Sequence, residues 1–289
     1  MNEGWLVYEK DNVERNRRFI QLLTESAARQ GCALRLVTTD RIAVCASPET
    51  GTALRLDGAP ERPGFCVMRC MEPALSEAAE LAGIRVFNSA LVSRTANNKQ
   101  ETLLFMVRNG LPFFPTALLS PGRFRIPYPW PVVIKAARGC GGRQVFRCAD
   151  PGEAAEALRA VGPDDAVVQP VCDTPGRDLR VYLLGGEVLA CMLRKSTDRD
   201  IRSNFGLHRN ADRVTPPREI LDVCEKISAL LRPDLIGVDF IFHQGQPWLN
   251  EIEDAVGTRM LYERAGMDAA DLYMTHILRT MKQTGGGTA

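Results

Sequence analysis

The first 90 residues alternate between short apolar runs and stretches in which apolar positions recur at helical spacing. Residues 13–30 have the period of an amphipathic helix, and residues 73–82 begin with Pro73 and are followed by Gly83, as helix ends prefer. The strands predicted beside these helices are residues 5–8, 33–37, 65–69 and 84–87. Strands that alternate with helices predict a small parallel sheet over roughly residues 1–90.

The rest of the chain has the pattern of strand pairs joined by short turns and mixed with helices. The predicted strands are residues 132–137, 145–148, 166–170, 179–184, 188–194, 236–242 and 247–252. The predicted helices are residues 97–108, 151–161, 217–231 and 268–282. The Pro-rich residues 112–131 have the pattern of a linker or an irregular edge segment, and the polar, basic residues 195–213 that of a surface loop. The pattern predicts an α/β (α+β) protein.

Composition narrows the classes of protein that fit this pattern. Hydrophobic residues make up 45% and charged residues 25% of the 289 residues, as in ordinary globular proteins. The formal net charge of +1 provides no overall basic field, so we expect neither nucleic acid nor a membrane as partner. The nine cysteines are scattered and odd in number, which favours reduced thiols over disulfides or a zinc site. The early charges do not fit a signal peptide, and no apolar run approaches the ~20 residues of a membrane helix, so we expect a cytoplasmic protein.

A glycine-rich loop follows the strand that ends near Lys135. Gly139, Gly141 and Gly142 lie between two strand-like runs, which is the pattern of an ordinary hairpin turn. Glycines also let backbone N–H groups approach phosphate oxygens, and Lys135 would add a charge beside them. A Walker A loop has its lysine after the glycines, and Gln144 stands where a dinucleotide-binding loop would have its third glycine. The loop alone leaves both interpretations open.

Three carboxylates are predicted to meet on the hairpin near the C-terminal end of the chain. Glu251 and Glu253 are two residues apart, so on a strand they share a face, and Asp239 on the preceding strand can lie opposite them. Adjacent carboxylates repel one another, and Mg²⁺, which prefers oxygen ligands, removes that cost. The alternative is a solvated acidic strand face, which the apolar neighbours disfavour.

Arginines are concentrated between residues 177 and 213. A cluster of guanidinium groups in a nearly neutral protein indicates an anion site. Its members are Arg177, Arg180, Arg194, Arg199, Arg202, Arg209 and Arg213. Arg199, Arg209 and Arg213 fit a solvated loop face about as well, whereas Arg180 and Arg194 lie on predicted strands.

The order of these motifs over roughly residues 65–265 resembles the ATP-grasp superfamily, and within it the RimK-like carboxylate–amine ligases. The segment NNKQETLLFMVRNGLPFFPT resembles the family's first lysine motif, and VVIKAARGCGGRQV resembles its glycine-rich lid. The resemblance implies that Lys99 and Lys135 bind phosphates, together with Gly141 and Gly142. Asn98, Ala136 and Gln144 depart from the family pattern.

Further segments extend this resemblance to the adenine, ribose and metal sites. VVQPVCDTPGRDLR resembles the family's hinge, which implies that Gln169, Pro170 and Val171 contact adenine and that Asp178 lies near the ribose. Pro170 stands where the family usually has glutamate. DIRSN matches a family loop, and NEIEDAVG resembles its E-x-N-x-x-P-G motif with Glu253 for asparagine and Val256 for proline. The resemblance therefore assigns the following roles: Arg202, Ser203 and Asn204 as nucleotide contacts, Asp239, Glu251 and Glu253 as metal ligands, Arg194 and Arg202 as catalytic residues, and Arg180 and Arg259 as substrate contacts.

The resemblance implies a fold of three parts and an activity. The parts are an N-terminal α/β domain over residues 1–90, a central ATP-grasp subdomain over 91–165 and a C-terminal subdomain over 166–289. The implied cofactors are ATP and two Mg²⁺ ions, with Mn²⁺ as an alternative. The implied activity joins a carboxylate, on a small molecule or peptide, to an amine through an acyl phosphate, and family analogy adds a homo-oligomer. A small-molecule kinase and a regulatory ATP-binding module without catalysis remain alternatives.

Overall fold

The structure is a computed structural model of the chain. It describes residues 3–49, 51–120, 125–139, 144–196 and 210–285. In the part of the chain so described, no helix is both long enough and apolar enough to cross a membrane.

The N-terminal sheet is parallel, as the alternation of strands and helices predicts. Its strands, in the order β2-β1-β6-β7, are β1 (Gly4–Tyr8), β2 (Leu34–Thr38), β6 (Phe65–Met68) and β7 (Arg85–Phe87), with helices α1 (Lys10–Arg29) and α2 (Pro73–Leu81) as connections. Every residue of β1 and β6 is buried, as in a sheet covered on both faces. The strand and helix ends lie within three residues of the predicted ones.

A small antiparallel sheet interrupts this parallel unit and was not predicted. Its strands are β3 (Ile42–Ser47), β4 (Gly51–Leu56) and β5 (Ala59–Pro60). Four consecutive residues of β3 are exposed, so the strand lacks the alternation of apolar and polar positions that marks a half-buried strand. Leu54 and Leu56 on β4 are buried and attach the small sheet to the N-terminal core.

The central sheet has four antiparallel strands in the order β10-β9-β11-β8. The strands are β8 (Ala117–Leu119), β9 (Val132–Ala136), β10 (Val145–Cys148) and β11 (Ala166–Pro170), and α5 (Pro151–Val161) covers them. Because β11 pairs with β9, residues 166–170 lie in the central sheet, beyond the boundary at residue 165. The division into three parts otherwise stays a prediction.

The C-terminal sheet has five antiparallel strands in the order β14-β13-β12-β15-β16. The strands are β12 (Arg177–Leu184), β13 (Glu187–Lys195), β14 (Ala211–Arg213), β15 (Leu235–His243) and β16 (Gln246–Glu253). The helices of this part are α6 (Arg218–Leu231), α7 (Arg259–Glu263) and α8 (Ala269–Gly285) in the same chain order. Helix α8 packs against α1, and Ser26 Oγ donates to Asp271 Oδ1 at 2.8 Å, so the two ends of the chain share one core.

Four elements differ from the prediction, each for a local reason. The helix predicted over 97–108 is α4 (Lys99–Arg108), which begins two residues later because Asn98 caps it by accepting the Gln100 N–H at 2.9 Å, and the preceding helix α3 (Ala90–Ala96) was not predicted. The Pro-rich segment contains β8 and buries Phe114, so it is part of the fold and not a linker. The polar stretch 195–213 ends in β14, and the five-residue helix α7 has too few residues to show a period.

Candidate active site

A cavity of about 150 Å³ lies between the central and C-terminal sheets, near the start of α4. One part of its wall is apolar and comes from the ends of β9, β11 and β15. The apolar residues are Phe114, Val133, Pro170, Val171 and Ile241. The lining also carries charged and amide groups, which are Lys99, Lys135, Gln144, Gln169, Arg177, Asp178, Arg180, Arg194, Asp239, Asn250, Glu251 and Glu253. A cavity of this kind suits a ligand with one flat apolar end and one anionic end.

The charged wall is built on cross-strand neighbours of the five-stranded sheet. Asp178 on β12 lies opposite Arg194 on β13, and Arg180 on β12 lies opposite Asp239 on β15. Arg180 Nε and Nη2 donate to the two oxygens of Asp239 at 2.7 and 2.6 Å, and Arg194 Nη2 donates to Asp239 Oδ2 at 2.7 Å. Arg194 also donates to both oxygens of Asp178, and Arg180 donates to Glu253. These five residues form an alternating chain of charges, which we call the charge ladder.

The central members of the charge ladder are buried, and their mutual pairing keeps Asp239, Arg180 and Arg194 ionised. Asp239 is 3%, Arg180 6% and Arg194 4% exposed. Burial alone would raise the pKa of Asp239, but the charges of Arg180 and Arg194 outweigh it and lower that pKa to about 2. Burial works against the charge of both arginines too, yet the carboxylates beside them raise the pKa of each guanidinium above its usual range. The ladder therefore holds two permanently charged guanidinium groups at the cavity, while its three carboxylates balance their charge.

The two predicted phosphate lysines meet at the same end of the cavity. Lys99 is the first residue of α4, and its Nζ donates to the Gly139 carbonyl oxygen and pairs with Glu251 Oε1, both at 2.8 Å. Lys135 lies on β9, and its Nζ donates to Asn250 Oδ1 at 3.1 Å. Burial lowers the pKa of Lys135, an effect that the charge of Glu251 counteracts. An anionic ligand would stabilise the charged form of a buried lysine of this kind, because the ligand's charge offsets the cost of removing the ammonium group from water.

A β-bulge explains a site residue that the sequence pattern did not reveal. Asp239 pairs with Glu251, but the next residue, Phe240, pairs with Leu249, so Asn250 is the extra residue of the bulge. In a regular strand Asn250 and Glu251 would point to opposite faces, whereas here both line the cavity. Asn250 Oδ1 also accepts from Gln169 Nε2 at 3.3 Å. No signal in the sequence locates this bulge.

The three predicted metal ligands come together, but as partners of cations. Glu251 pairs with Lys99, Glu253 with Arg180, and Asp239 with Arg180 and Arg194. Within the described residues, no three His, Cys, Asp or Glu side chains are placed as a preformed metal site. Arg180, Arg194 and Lys99 offset the repulsion between the carboxylates.

The oxygens on β16 nevertheless fit a hard divalent cation. Glu251 and Glu253 are only partly buried, each is engaged by one cation in the described part of the chain, and Asn250 adds an amide oxygen beside them. Asp239 fits less well, because both of its oxygens are already bonded to arginines. The assignment of all three as metal ligands stays a prediction.

The remaining predicted site residues have different outcomes. Gln169, Pro170, Val171 and Asp178 line the cavity, as expected for a hinge and its neighbour. Arg259 is exposed at the start of α7 and lines neither this cavity nor the second one described below, so its role stays a prediction. Five predicted residues lie outside the described part of the chain: Gly141, Gly142, Arg202, Ser203 and Asn204.

A second cavity of about 180 Å³ adjoins the first, on the side of the N-terminal sheet. Five residues border both cavities: Lys99, Gly139, Arg180, Glu251 and Glu253. The second cavity then continues past α1 and the ends of β1 and β6. A group placed at the lysines can therefore be reached from either side.

Comparison with known protein families identifies the class to which this fold and site belong. Residues 124–277 match the model of the RimK-like ATP-grasp domain, which is more than half of the chain. The chain therefore belongs to the RimK-like ATP-grasp family, as its motifs predict.

Individual relatives are distant in sequence and close in fold. A probable alpha-L-glutamate ligase of Parasynechococcus marenigrum is 27% identical over 231 residues, which are 76% of this chain and 48% of that protein. N-acetylaspartylglutamate synthase A of Mus musculus is 24% identical over 290 residues, 93% of this chain and 76% of that protein. The chain thus spans about half the length of the first of these relatives.

Solved structures confirm the ATP-grasp fold. The D-cycloserine synthetase DcsG superposes with a TM-score of 0.72 at 16% identity, over 97% of this chain and all of that one. An ATP-grasp RimK domain protein of Sphaerobacter thermophilus superposes with a TM-score of 0.69 at 17% identity, over 95% of this chain and 99% of that one.

Proposed function

We propose that this protein is an ATP- and Mg²⁺-dependent ligase that joins a carboxylate to an amine through an acyl phosphate. The observation that carries the proposal is the convergence of Lys99, Lys135 and the charge ladder on one cavity with an apolar far wall, in a chain of the ATP-grasp family. The relatives named as an alpha-L-glutamate ligase and N-acetylaspartylglutamate synthase A support an amino acid or peptide as the substrate class.

The nucleotide is oriented by the contrast between the two cavity walls. The apolar wall with Pro170 and Val171 takes the adenine, and Pro170 offers only a carbonyl acceptor because its nitrogen carries no hydrogen. Lys99 and Lys135 take the phosphates at the charged end. Gly141, Gly142, Ser203 and Asn204 are further proposed contacts, on the strength of their motifs.

Glu251 and Glu253 are the residues that would hold Mg²⁺, with Asn250 as an additional oxygen donor and Asp239 as the weakest of the four. Bound there, the metal would neutralise charge on the phosphates. Binding requires Lys99 and Arg180 to yield their carboxylate contacts, and both cations would then be free to turn to phosphate oxygens. The number of ions, two by family resemblance, and the use of Mn²⁺ stay predictions.

The charge ladder supplies the electrostatic part of the reaction. A substrate carboxylate oxygen attacks the γ-phosphorus, ADP leaves, and an amine then attacks the acyl carbon so that phosphate departs. Arg180 borders both cavities and Arg194 borders the first, so their fixed guanidinium groups are placed to stabilise the negative charge that builds on the transferred group. Their bonds to Asp178 and Asp239 hold them in position. Arg202 is the second predicted catalytic arginine.

The proposal is tested by ADP release in the presence of Mg²⁺, a panel of amino acids and dipeptides, and hydroxylamine as a surrogate amine. Hydroxamate formed from a particular acid supports the ligase and identifies the acid. ADP release with a phosphorylated product and no hydroxamate indicates a kinase. Tight ATP binding without turnover on any acid indicates a regulatory module. A homo-oligomer and a cytoplasmic location remain expectations from the family resemblance and the composition.

A further inference from the structure

The second cavity contains a cation that the proposed reaction does not use. Arg69, at the end of β6, is only 6% exposed and lines this cavity. Its Nη2 donates to the Val256 carbonyl oxygen at 2.7 Å, and its guanidinium lies over the Phe19 ring, 5.2 Å from the ring centre. Its Nε is buried without a hydrogen-bond partner, and no carboxylate of the described residues lies within ion-pair distance. A buried guanidinium without a carboxylate is costly unless another anion binds to it.

Tyr8 is a second buried group on the same wall and interacts with Arg69. Its side chain is 2% exposed and lines the second cavity, and apart from the interaction with Arg69 its hydroxyl has no hydrogen-bond partner among the described residues. Burial raises the pKa of Tyr8 although the charge of Arg69 lowers it, so the hydroxyl keeps its proton and can donate. A guanidinium and a phenol side by side offer several donors, and neither is bonded to a carboxylate among the described residues, which suits a carboxylate ligand.

The carboxylates that line the second cavity are already occupied. Glu251 and Glu253 are paired with Lys99 and Arg180 at the boundary with the first cavity. Asp254 accepts from Asn88 at 2.8 Å and from Asn97 at 3.0 Å.

Glu9 accepts from the Met71 N–H at 2.7 Å and from Asn12 Nδ2 at 2.9 Å. Arg15, exposed on α1, also lines the cavity and has no ion pair within the described part of the chain. The second cavity is thus lined by four cations and four carboxylates, and within the described residues Arg69 and Arg15 are the two cations that form no ion pair with a carboxylate.

We propose that Arg69 and Tyr8, with Arg15 beside them, bind a substrate carboxylate that does not react. This inference rests on the proposed function, because the group that does react must lie at the boundary between the cavities, near Lys99 and Arg180. The matching ligand is the free carboxylate of an α-amino acid or the C-terminal carboxylate of a short peptide. Such a contact would hold one substrate so that its reactive group points to the shared boundary.

The test is isothermal titration calorimetry of the full chain with Mg²⁺ and a non-hydrolysable ATP analogue. The probes are the standard amino acids and a set of dipeptides, each as the free acid and as the C-terminal amide. We expect at least one free acid to bind more than about tenfold tighter than its amide, since hydrogen bonds to a charged group change a dissociation constant by about that factor. Single amino acids and dipeptides distinguish the two sources of the carboxylate.

Two variants and one control assign the binding to this site. Tyr8→Phe should weaken the preferred acid about tenfold and Arg69→Met about a hundredfold, while both leave binding of the ATP analogue unchanged. Tyr8→Phe should also melt at or above the wild-type temperature, because it removes a buried hydroxyl that has no hydrogen-bond partner other than Arg69 among the described residues. Arg35→Met, which removes an arginine of a surface pair with Glu61 in the same domain, should change nothing.

Equal binding of acids and amides across the panel overturns the inference, as does wild-type acid affinity in both variants. A marked loss of stability in Tyr8→Phe also counts against it, because the hydroxyl would then have a structural role. Acid binding that depends on Arg69 while the ATP analogue fails to bind keeps this inference and overturns the proposed function.

Discussion

Replacing Asp239 by asparagine removes the central negative charge of the ladder while the side chain keeps nearly the same volume. Arg180 and Arg194 would lose a shared, fully buried carboxylate, but each keeps one other carboxylate partner, Glu253 or Asp178. A buried pair that loses one partner costs about 3–5 kcal/mol, and the retained partners place Asp239→Asn at the lower end, about 3 kcal/mol. The lowering of the Asp239 pKa from 3.8 to about 2 implies a similar size, roughly 2–3 kcal/mol.

The assay is urea unfolding of wild type and variant across pH. Because the pKa of Asp239 is lower in the folded than in the unfolded protein, its stabilisation is fully present above about pH 4 and disappears as pH falls toward 2. The difference between wild type and Asp239→Asn should therefore be largest near neutral pH and shrink in that acidic window. Asp212→Asn is the matched control, because Asp212 forms an exposed pair with Lys195 on the same sheet and should cost less than about 1 kcal/mol. A loss in Asp239→Asn no larger than in Asp212→Asn would refute this account of the ladder.

Three further variants separate the roles of the site residues. Lys135→Met should weaken binding of an ATP analogue at least about tenfold, measured by calorimetry. Urea unfolding should show no loss of stability, since burial already disfavours the charged form of Lys135. An unchanged affinity for the ATP analogue would contradict a contact between Lys135 and phosphate. Arg194→Ala should raise the barrier to turnover by about 3–4 kcal/mol, measured as kcat for ADP release, and near-normal turnover would remove Arg194 from the mechanism. Glu253→Gln should raise the Mg²⁺ concentration needed for half-maximal ADP release, while the ATP analogue should still bind in the absence of metal. An unchanged Mg²⁺ requirement would contradict the role of Glu253 as a metal ligand.

Much of the fold was predictable because its strands carry strong local signals. The runs 132–137, 145–148 and 166–170 contain valine or isoleucine and are bounded by turn residues, and they correspond to β9, β10 and β11 in the structure. The family resemblance led to Lys99 and Lys135, and both line the same cavity. The spacing of Glu251 and Glu253 placed them on one face, and both lie on the cavity wall.

The partners of these residues were not predictable, because pairing between distant strands leaves no local trace. The register of β12, β13 and β15 places Arg180 and Arg194 against Asp239, and these contacts could not be predicted from the spacing of the carboxylates. The bulge at Asn250 breaks the two-residue period on which strand predictions rest.

Arg69 and Tyr8 carried no motif, since their common feature is a buried polar atom left unpaired within the described residues, Arg69 Nε and the Tyr8 hydroxyl, a property of the packed structure alone. The small sheet of β3, β4 and β5 is largely exposed and so lacked the apolar alternation that predicts strands.

The central claim is that a substrate carboxylate attacks ATP, and oxygen-isotope transfer tests it most directly. The acid identified by hydroxamate formation would be prepared with ¹⁸O in its carboxylate and turned over with Mg²⁺, ATP and the amine. An acyl phosphate requires that one carboxylate oxygen leave with the phosphate, so the account predicts one ¹⁸O in each phosphate released. Phosphate without the label, formed alongside the amide, would contradict the acyl-phosphate route and the function proposed for this site.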